Sequence, residues 1–228
     1  MPEIYLIGTN HVDLHGPQRL NLALEEIVPD IVLAEGDFNK DHARINYLGF
    51  LRNFLRTYHI EEELAQAVIE KQKRLGYESA ISKKYTETHG KKFDYLKDKI
   101  PTPNVQKLKV DAKNEVKELL INRIKLVRFN EKIQTRQKRI DSDWDYMGRT
   151  IGTKQERIDA QLNINASKDM ELRRDKKMEG TLKFYLERSG QIKIATVTGF
   201  IHILDDPQNR TFYTLIKHLN PTRRFLFE

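Results

Sequence analysis

The sequence contains no cysteine among its 228 residues. A disulfide framework, a zinc–thiolate site, an iron–sulfur cluster and a cysteine nucleophile are therefore excluded, and any metal site has to use histidine and carboxylate side chains. Long apolar runs are also lacking, because none approaches the roughly 20 residues of a membrane span. The start Met1-Pro2-Glu3 has no basic segment of the signal-peptide type. We therefore expect a cytoplasmic globular protein with no membrane partner.

The two ends of the chain have the pattern of α/β structure. In the first, apolar strands at 3–8 and 31–34 enclose an amphipathic helix at 17–28, which predicts a βαβ unit. In the second, strands at 191–198 and 224–227 enclose an amphipathic helix at 207–219. The same order of elements at both ends suggests two related halves.

The middle, from 38 to about 189, is strongly charged and has an almost entirely helical pattern. A long polar helix is predicted from Val105 to about Ile140, followed by a break at Asp141–Thr153. A last long helix is predicted from about Ser167 to Arg188.

Corresponding residues in the two flanks are separated by an almost constant number of residues. Gly8-x-x-His11 and Gly199-x-x-His202 each follow a strand and are 191 residues apart. The prolines that open the two helices are 190 residues apart, and those that end them are 192 apart. Similarity at a fixed offset is typical of an internal repeat.

The predicted fold is α/β, with two βαβ-like halves forming one mainly parallel sheet. Residues 1–37 plus 167–228 would form this core, and 38–166 a helical charged insertion.

Three residues with metal-ligating or catalytic potential lie at predicted strand ends, namely His11, Glu35 and His202. Ligands of parallel α/β sheets bind beyond the carboxyl ends of the strands, and a pseudo-twofold axis would let the two imidazoles converge. Two histidines and one carboxylate are typical of hydrolytic metal sites. Manganese, cobalt and zinc all suit these ligand types. A lone histidine at a strand end is more often structural, so the pairing carries the hypothesis. His15 lies near the first motif and is a further candidate.

These motifs resemble a known family. Gly8-Thr9-Asn10-His11-Val12 resembles the Gly-Thr-x-His-Val opening of the TraB/PrgY group, which belongs to a superfamily with GumN-like and TIKI proteins. The segment 29–35 (PDIVLAE) resembles the strand that follows in that family. Residues 173–178 (RRDKKM) resemble its Glu-Arg-Asp/Asn-x-x-Met motif, with Arg173 in place of Glu. Residues 199–202 (GFIH) resemble its Gly-x-Gly-His motif, with Phe200 and Ile201 bulkier than usual.

The resemblance implies a fold of two halves with a shared site, and some TIKI relatives are metal-dependent peptidases. It makes His11 and His202 metal ligands and Glu35 a ligand or general base. Arg174 would stabilise an oxyanion or bind a substrate carboxylate. Asp175 would orient Arg174 or a histidine, and the neighbouring Asn10 would support the same site.

The basic middle supports a different class of function. Lys and Arg number 40 against 33 Asp and Glu, a net charge of +7, and many of them lie between 107 and 139. Four of them could follow a phosphate backbone, namely Lys125, Arg128, Lys132 and Arg136. Acidic residues are interleaved with them, which favours a solvated helix face, and a homodimer through this region is a third reading.

Two hypotheses follow from the sequence. The first is a TraB/TIKI-like metal-dependent hydrolase that acts on a peptide or small-molecule amide with a divalent ion (Mn, Co or Zn). The second is a non-catalytic protein on the same fold that binds a small ligand or nucleic acid through the basic helices. Metal binding that depends on the two histidines would distinguish them.

Overall fold

The chain folds around a five-stranded sheet in a computed structural model that describes residues 2–36, 38–97, 104–148, 168–188, 190–206, 208 and 210–226. The strands are β1 (Glu3–Thr9), β2 (Ile31–Gly36), β3 (Lys92–Lys97), β4 (Lys193–Gly199) and β5 (Thr222–Phe225). The α-helices are α1 (Gly16–Ile27), α2 (Phe38–Thr57), α3 (Glu62–Arg74), α4 (Glu78–His89), α5 (Val105–Ile121), α6 (Leu126–Gly148), α7 (Lys168–Arg188) and α8 (Phe212–Ile216). Short 3-10 helices follow β4 at Phe200–Ile203 and α8 at Lys217–Leu219.

The order of the strands interleaves the two ends of the chain. The sheet runs β3-β2-β4-β1-β5, and all neighbouring strands are parallel. β4, from the second half, lies between β2 and β1, while β1, from the first half, lies between β4 and β5. An axis parallel to the strands between β4 and β1 therefore exchanges β1 with β4 and β2 with β5. The predicted α/β class with a parallel sheet and inserted helices is confirmed.

Helices cover both faces of the sheet, because both faces of its inner strands are apolar. On one face Leu6 and Leu33 pack with Met178 and Leu182 of α7 and with Phe212 of α8. On the other face the strands pack against α1 and α4, through Ile7, Val32, Val197, Leu20, Leu24, Tyr77 and Tyr85. Neighbouring residues such as Leu6 and Ile7 thus serve opposite faces, as the strand period of two requires. This double burial fixes the register that brings the strand ends together.

A second apolar cluster holds the remaining helices together. It joins α2, α3, α5 and α6 through the buried residues Leu51, Leu55, Leu64, Val68, Ile69, Ala112, Val116, Leu119 and Phe129. The stripes on α2 and α3 recur at helical spacing, so each helix has one buried side. None of the described helices combines the length and the apolar character needed to cross a bilayer.

Several sequence-based predictions for the middle were wrong. Residues 92–97 form the edge strand β3, because Phe93, Tyr95 and Leu96 pack beside β2 while charged residues alternate with them. The helix predicted over 105–140 is two helices. The chain turns between Asn122 and Lys125, where Arg123 has a left-handed φ of 45°.

Other boundaries shifted as well. α6 continues to Gly148, so the predicted break does not occur over 141–148, and residues 149–153 lie outside the described part. α8 begins at Phe212, later than the helix predicted from 207, because Thr211 caps it with a reciprocal hydrogen bond to Thr214. The closing strand runs over Thr222–Phe225 rather than 224–227. Pro207, Phe227 and Asp37, the predicted boundary of the first core segment, lie outside the described residues.

Gly16 provides a direct test of how α1 and α4 pack. A Cβ at Gly16 would overlap the phenol ring of Tyr77, which is fully buried. We expect Gly16→Ala to lower the free energy of unfolding by about 1–3 kcal/mol, since overpacking forces neighbours to shift. Urea unfolding followed by circular dichroism measures the change.

Gly49 is the matched control for this substitution. It lies exposed inside α2, with nothing within 4 Å of an added Cβ. Gly49→Ala should raise the free energy of unfolding by about 0.5–1 kcal/mol, because alanine is the better helix former. If Gly16→Ala behaves like Gly49→Ala, the described packing of Tyr77 is wrong.

Candidate functional site

The predicted site residues meet at the carboxyl edge of the sheet. His11 follows β1, Glu35 lies near the end of β2, and His202 lies in the 3-10 helix after β4. Because β4 separates β1 from β2 and all three strands are parallel, their ends bring these three side chains to one place. α7 adds Arg174 and Asp175 from the helical layer.

His11 is held between two carboxylates. Its Nδ1 lies 2.6 Å from Oε1 of Glu78, and its Nε2 lies 3.9 Å from Oε1 of Glu35. Glu78 opens α4 and is 3% exposed. The hydroxyl of Thr9 donates a second hydrogen bond of 2.7 Å to Glu78 Oε1. The imidazole itself is half-exposed, so one side of it faces solvent.

His202 has the same arrangement with different partners. Its Nδ1 lies 2.6 Å from Oδ1 of Asp175, and its Nε2 lies 3.9 Å from Oε2 of Glu35. His202 and Asp175 are 3% and 2% exposed, so this pair is buried. Each histidine is thus tied to a buried carboxylate through Nδ1 and faces Glu35 through Nε2.

Glu35 is the centre of the arrangement. Its side chain is buried, and Oε2 accepts hydrogen bonds of 2.7 Å from the Thr198 hydroxyl and from the Gly199 backbone N–H. The guanidinium of Arg174 contacts Oε1. These donors compensate for the burial of a carboxylate.

The two glycines of the Gly-x-x-His motifs give the opposite half room to approach. A Cβ on Gly199 would lie 3.0 Å from His11 Nε2 and 3.6 Å from Glu35 Oε2. A Cβ on Gly8 would lie 2.5 Å from Cδ1 of Ile203. The φ of Gly199 is −53°, so close approach, not an unusual backbone conformation, is the constraint at this glycine.

Burial and charge act against one another at two of these groups. Burial disfavours ionisation of Glu78, but the charge and hydrogen bond of His11, with the Thr9 hydroxyl, outweigh it and hold the pKa of Glu78 below its ordinary value. Burial lowers the pKa of Arg174, and the nearby Asp175 opposes this shift. Glu78 therefore supplies a fixed negative charge behind His11.

A cavity of about 290 Å³ opens onto these groups. Its described lining combines polar side chains with the apolar Phe200 and Ile201, and consists of Thr9, Asn10, His11, Arg174, Gly199, Phe200, Ile201 and His202. Asn10 also accepts a hydrogen bond of 3.2 Å from the backbone N–H of Val12, so it shapes the turn that carries His11. Phe200 and Ile201, the bulky residues of the second motif, both line this cavity.

Other predicted residues lie elsewhere. His15 is exposed at the start of α1 and is not among the described residues that line the cavity. The four basic residues Lys125, Arg128, Lys132 and Arg136 are all exposed in or just before α6. Exposure suits phosphate binding and a solvated face equally, so nucleic-acid binding and dimerisation through the helices stay predictions.

Sequence reasoning missed three of the residues that organise the site. Thr9 directly follows the glycine of the first motif and Thr198 directly precedes the glycine of the second, and each hydroxyl donates to a site carboxylate. Their position beside a motif glycine is a signal that could have been used. Glu78 follows Gly76-Tyr77 at the start of a helix, with no local pattern to mark it, and only the packing of α4 brings it to His11.

The donor types at this site suit a divalent ion, but the distances between the donor atoms are longer than in an occupied metal site. Carboxylates behind Nδ1 fix the imidazole orientation in the manner common for metal-binding histidines. Two atoms that share an ion at about 2.1 Å are roughly 3.0–3.5 Å apart, whereas each Nε2 lies 3.9 Å from Glu35. Among the described residues, no three His, Asp or Glu side chains are placed to hold an ion as they stand. Binding would require the imidazoles to move closer to Glu35.

Comparison with known proteins adds no relative to this description. Neither protein-family models, nor curated proteins, nor solved structures give a match to the chain. The family resemblance of the flanks therefore stays a prediction, and the chemistry of the site has to be argued from its own contacts.

The ionised state of Glu78 leads to a testable pH dependence. Glu78→Gln should lower the free energy of unfolding at pH 7 by about 1.5–3 kcal/mol, because a charged hydrogen bond to His11 is lost. A carboxylate whose folded pKa is depressed stabilises above its unfolded pKa of about 4.3, and this contribution disappears as pH falls through the folded value. Urea unfolding between pH 3 and 8 should show the difference from wild type constant above about pH 5 and shrinking below pH 4.

Glu87, exposed on the same helix, supplies the control. Glu87→Gln should change the free energy of unfolding by no more than about 0.5 kcal/mol across this range. A difference for Glu78→Gln that grows as pH falls would contradict the ionised pair.

Proposed function

We propose that this chain is a metal-dependent hydrolase that acts on a peptide or amide bond at the carboxyl edge of the sheet. One observation carries the proposal, namely that two imidazoles, each tied through Nδ1 to a buried carboxylate, direct Nε2 at the same carboxylate, Glu35. Two histidines and a carboxylate are a ligand set of hydrolytic metal sites. A bound divalent ion would supply an acidified water and a Lewis acid for the scissile carbonyl.

Each histidine has the support that a ligand needs. Glu78 is hydrogen-bonded to Nδ1 of His11, and Asp175 lies 2.6 Å from Nδ1 of His202 as its ion-pair partner. Nε2 of each ring is therefore left as the ligating atom on the side of Glu35. The rings differ in exposure, since His202 is buried and His11 is half-exposed. In the proposal His202 and Glu35 form the buried part of the site, and His11 forms its solvent-facing side.

Arg174 and Glu35 are linked in the proposed reaction. The guanidinium contacts Glu35 in the described structure, and it also lines the cavity. An oxyanion or a carboxylate of the substrate would compete with Glu35 for this guanidinium, because its forked donors bind anionic oxygens. When Arg174 donates to the substrate, Glu35 loses a cationic donor and becomes a better proton acceptor.

The cavity restricts what can be hydrolysed. Its volume of about 290 Å³ is at the lower end of small-molecule sites, and Phe200 and Ile201 supply its apolar side. The site therefore suits a short peptide or a small amide with one apolar group near the scissile bond.

Metal binding tests the proposal first. We expect wild-type protein to bind Co²⁺ with new d–d absorption, and His11→Ala and His202→Ala each to weaken this binding at least about 10-fold, since each removes a ligand. His218→Ala, an exposed histidine in the second 3-10 helix, is the control and should bind like wild type. Equal Co²⁺ affinity in wild type and both site variants would reject the metal site.

Hydrolysis is tested separately. Protein loaded with Mn²⁺, Co²⁺ or Zn²⁺ is incubated with a short-peptide library, and cleavage is followed by mass spectrometry. On any peptide that is cleaved, Arg174→Lys should lower kcat by roughly 10²–10³-fold, because lysine lacks the forked donors at the oxyanion. Arg173→Lys, an exposed neighbour on the same helix, should leave kcat unchanged. A library left intact by all three metal forms would argue against the peptidase.

A further inference from the structure

Both histidine loops are followed by a buried aspartate and an arginine, outside the site described so far. Asp13 and Asp206 are both 0% exposed. Arg19 and Arg210, which pair with them, are 191 residues apart, the same offset as His11 and His202, and the two aspartates are 193 residues apart. The internal repeat therefore extends from the histidines to these two ion pairs.

Asp13 closes the loop that leaves His11. Its Oδ1 accepts a hydrogen bond of 2.9 Å from the backbone N–H of His15, and its Oδ2 accepts one of 2.7 Å from Arg19. The side-chain amide of Gln137, on α6, donates 2.8 Å to Asp13, and its carbonyl accepts 2.8 Å from the backbone N–H of Leu14. The loop is thereby fixed to α1 and to α6.

Asp206 closes the loop that leaves His202 in a similar way. It accepts from the backbone N–H groups of Gln208 at 3.3 Å and Arg210 at 2.9 Å. The guanidinium of Arg210 donates to both carboxylate oxygens, at 2.8 and 3.0 Å. Burial disfavours ionisation of Asp206, but these donors outweigh it and hold its pKa below the ordinary value.

The shared features are more specific than two buried ion pairs. In each loop the aspartate follows the histidine by a few residues, accepts from the N–H two residues later, and pairs with an arginine from the following segment. Burying a carboxylate costs free energy that its partners only offset. An aspartate–arginine pair of this kind occurs at both histidine loops, on opposite sides of the pseudo-twofold axis. This duplication links the two pairs to the two imidazoles.

We propose that Asp13 with Arg19 and Asp206 with Arg210 are matched positioning pairs, each of which sets the loop that aims one imidazole at Glu35. They do not contact the cavity themselves, so they act through His11 and His202. As part of a working hydrolase this role rests on the function proposed above, whereas the positioning of the imidazoles can be measured without metal or substrate.

The experiment compares Asp13→Asn and Asp206→Asn by ¹⁵N NMR of the histidine side chains in the metal-free protein. His11→Ala and His202→Ala assign the two imidazole signals. Asp13→Asn should move the His11 nitrogen resonances toward those of an imidazole exchanging between tautomers, because the Nδ1 contact with Glu78 loosens, and should leave His202 unchanged. Asp206→Asn should do the reverse, through the contact of His202 with Asp175.

Two further sets of variants make this test decisive. Asp205→Asn, half-exposed beside Asp206, is the control and should leave both imidazoles unchanged. Arg19→Lys and Arg210→Lys retain the charge but lose the forked donors, and they give the answer if an asparagine variant fails to fold. They should produce the same selective changes with smaller amplitude.

The outcomes separate positioning from a general structural role. Selective change of one imidazole in each variant supports the proposal, and where wild-type protein binds Co²⁺, each variant should also weaken that binding about 10-fold. A lower melting temperature with both imidazoles unchanged, or equal disturbance of both in each variant, overturns it. If wild-type protein binds no Co²⁺, the proposed metal site fails, while the NMR result still decides whether the pairs position the imidazoles.

Discussion

The buried carboxylate of Glu35 is the constraint on which the rest of this site depends. A carboxylate at that depth requires donors or cations, and the structure supplies a hydroxyl, a backbone N–H and a guanidinium. Two of these come from β4, so Glu35 on β2 is satisfied only when the second half of the chain has inserted its strand beside the first. The site and the central part of the sheet therefore form together, and a variant that loosens β4 would expose an unsatisfied charge as well as an apolar core.

The interleaved strand order explains why the site is nearly symmetric. β1 and β4 are equivalent under the pseudo-twofold axis, so the loops after them bring His11 and His202 to Glu35 from two directions. The partners behind the imidazoles break this symmetry, since Glu78 comes from the middle of the chain and Asp175 from the helix before β4. Each imidazole is also packed differently. His202 is enclosed with Asp175, whereas His11 has an open side, which gives any substrate a direction of approach.

Sequence reasoning reached the elements whose pattern is local. Apolar runs and prolines predicted four of the five strands and α1. The fixed offset predicted that His11, Glu35 and His202 come together. The edge strand β3 was not predicted, because its alternating charged residues are equally typical of a solvated helix or a loop. The turn at Arg123 was not predicted either, because arginine as a residue type does not indicate a left-handed backbone. Glu78 was missed for a different reason. Its role depends on packing 67 residues away from His11, and a glutamate that opens a helix is common without any such role.

Arg174 decides how the site should be interpreted. A cation already contacts Glu35 in the described structure, so a metal ion would have to share this carboxylate with the guanidinium or displace it. Sharing would place two positive groups close together and would cost affinity, unless Glu78 and Asp175 supply compensating negative charge through the imidazoles. They are placed to do so, since each lies 2.6 Å from an Nδ1. In the proposed metal site the two outer carboxylates would therefore act beyond orientation: with Glu35 they would set three acidic groups against one arginine, the charge balance that an additional cation requires.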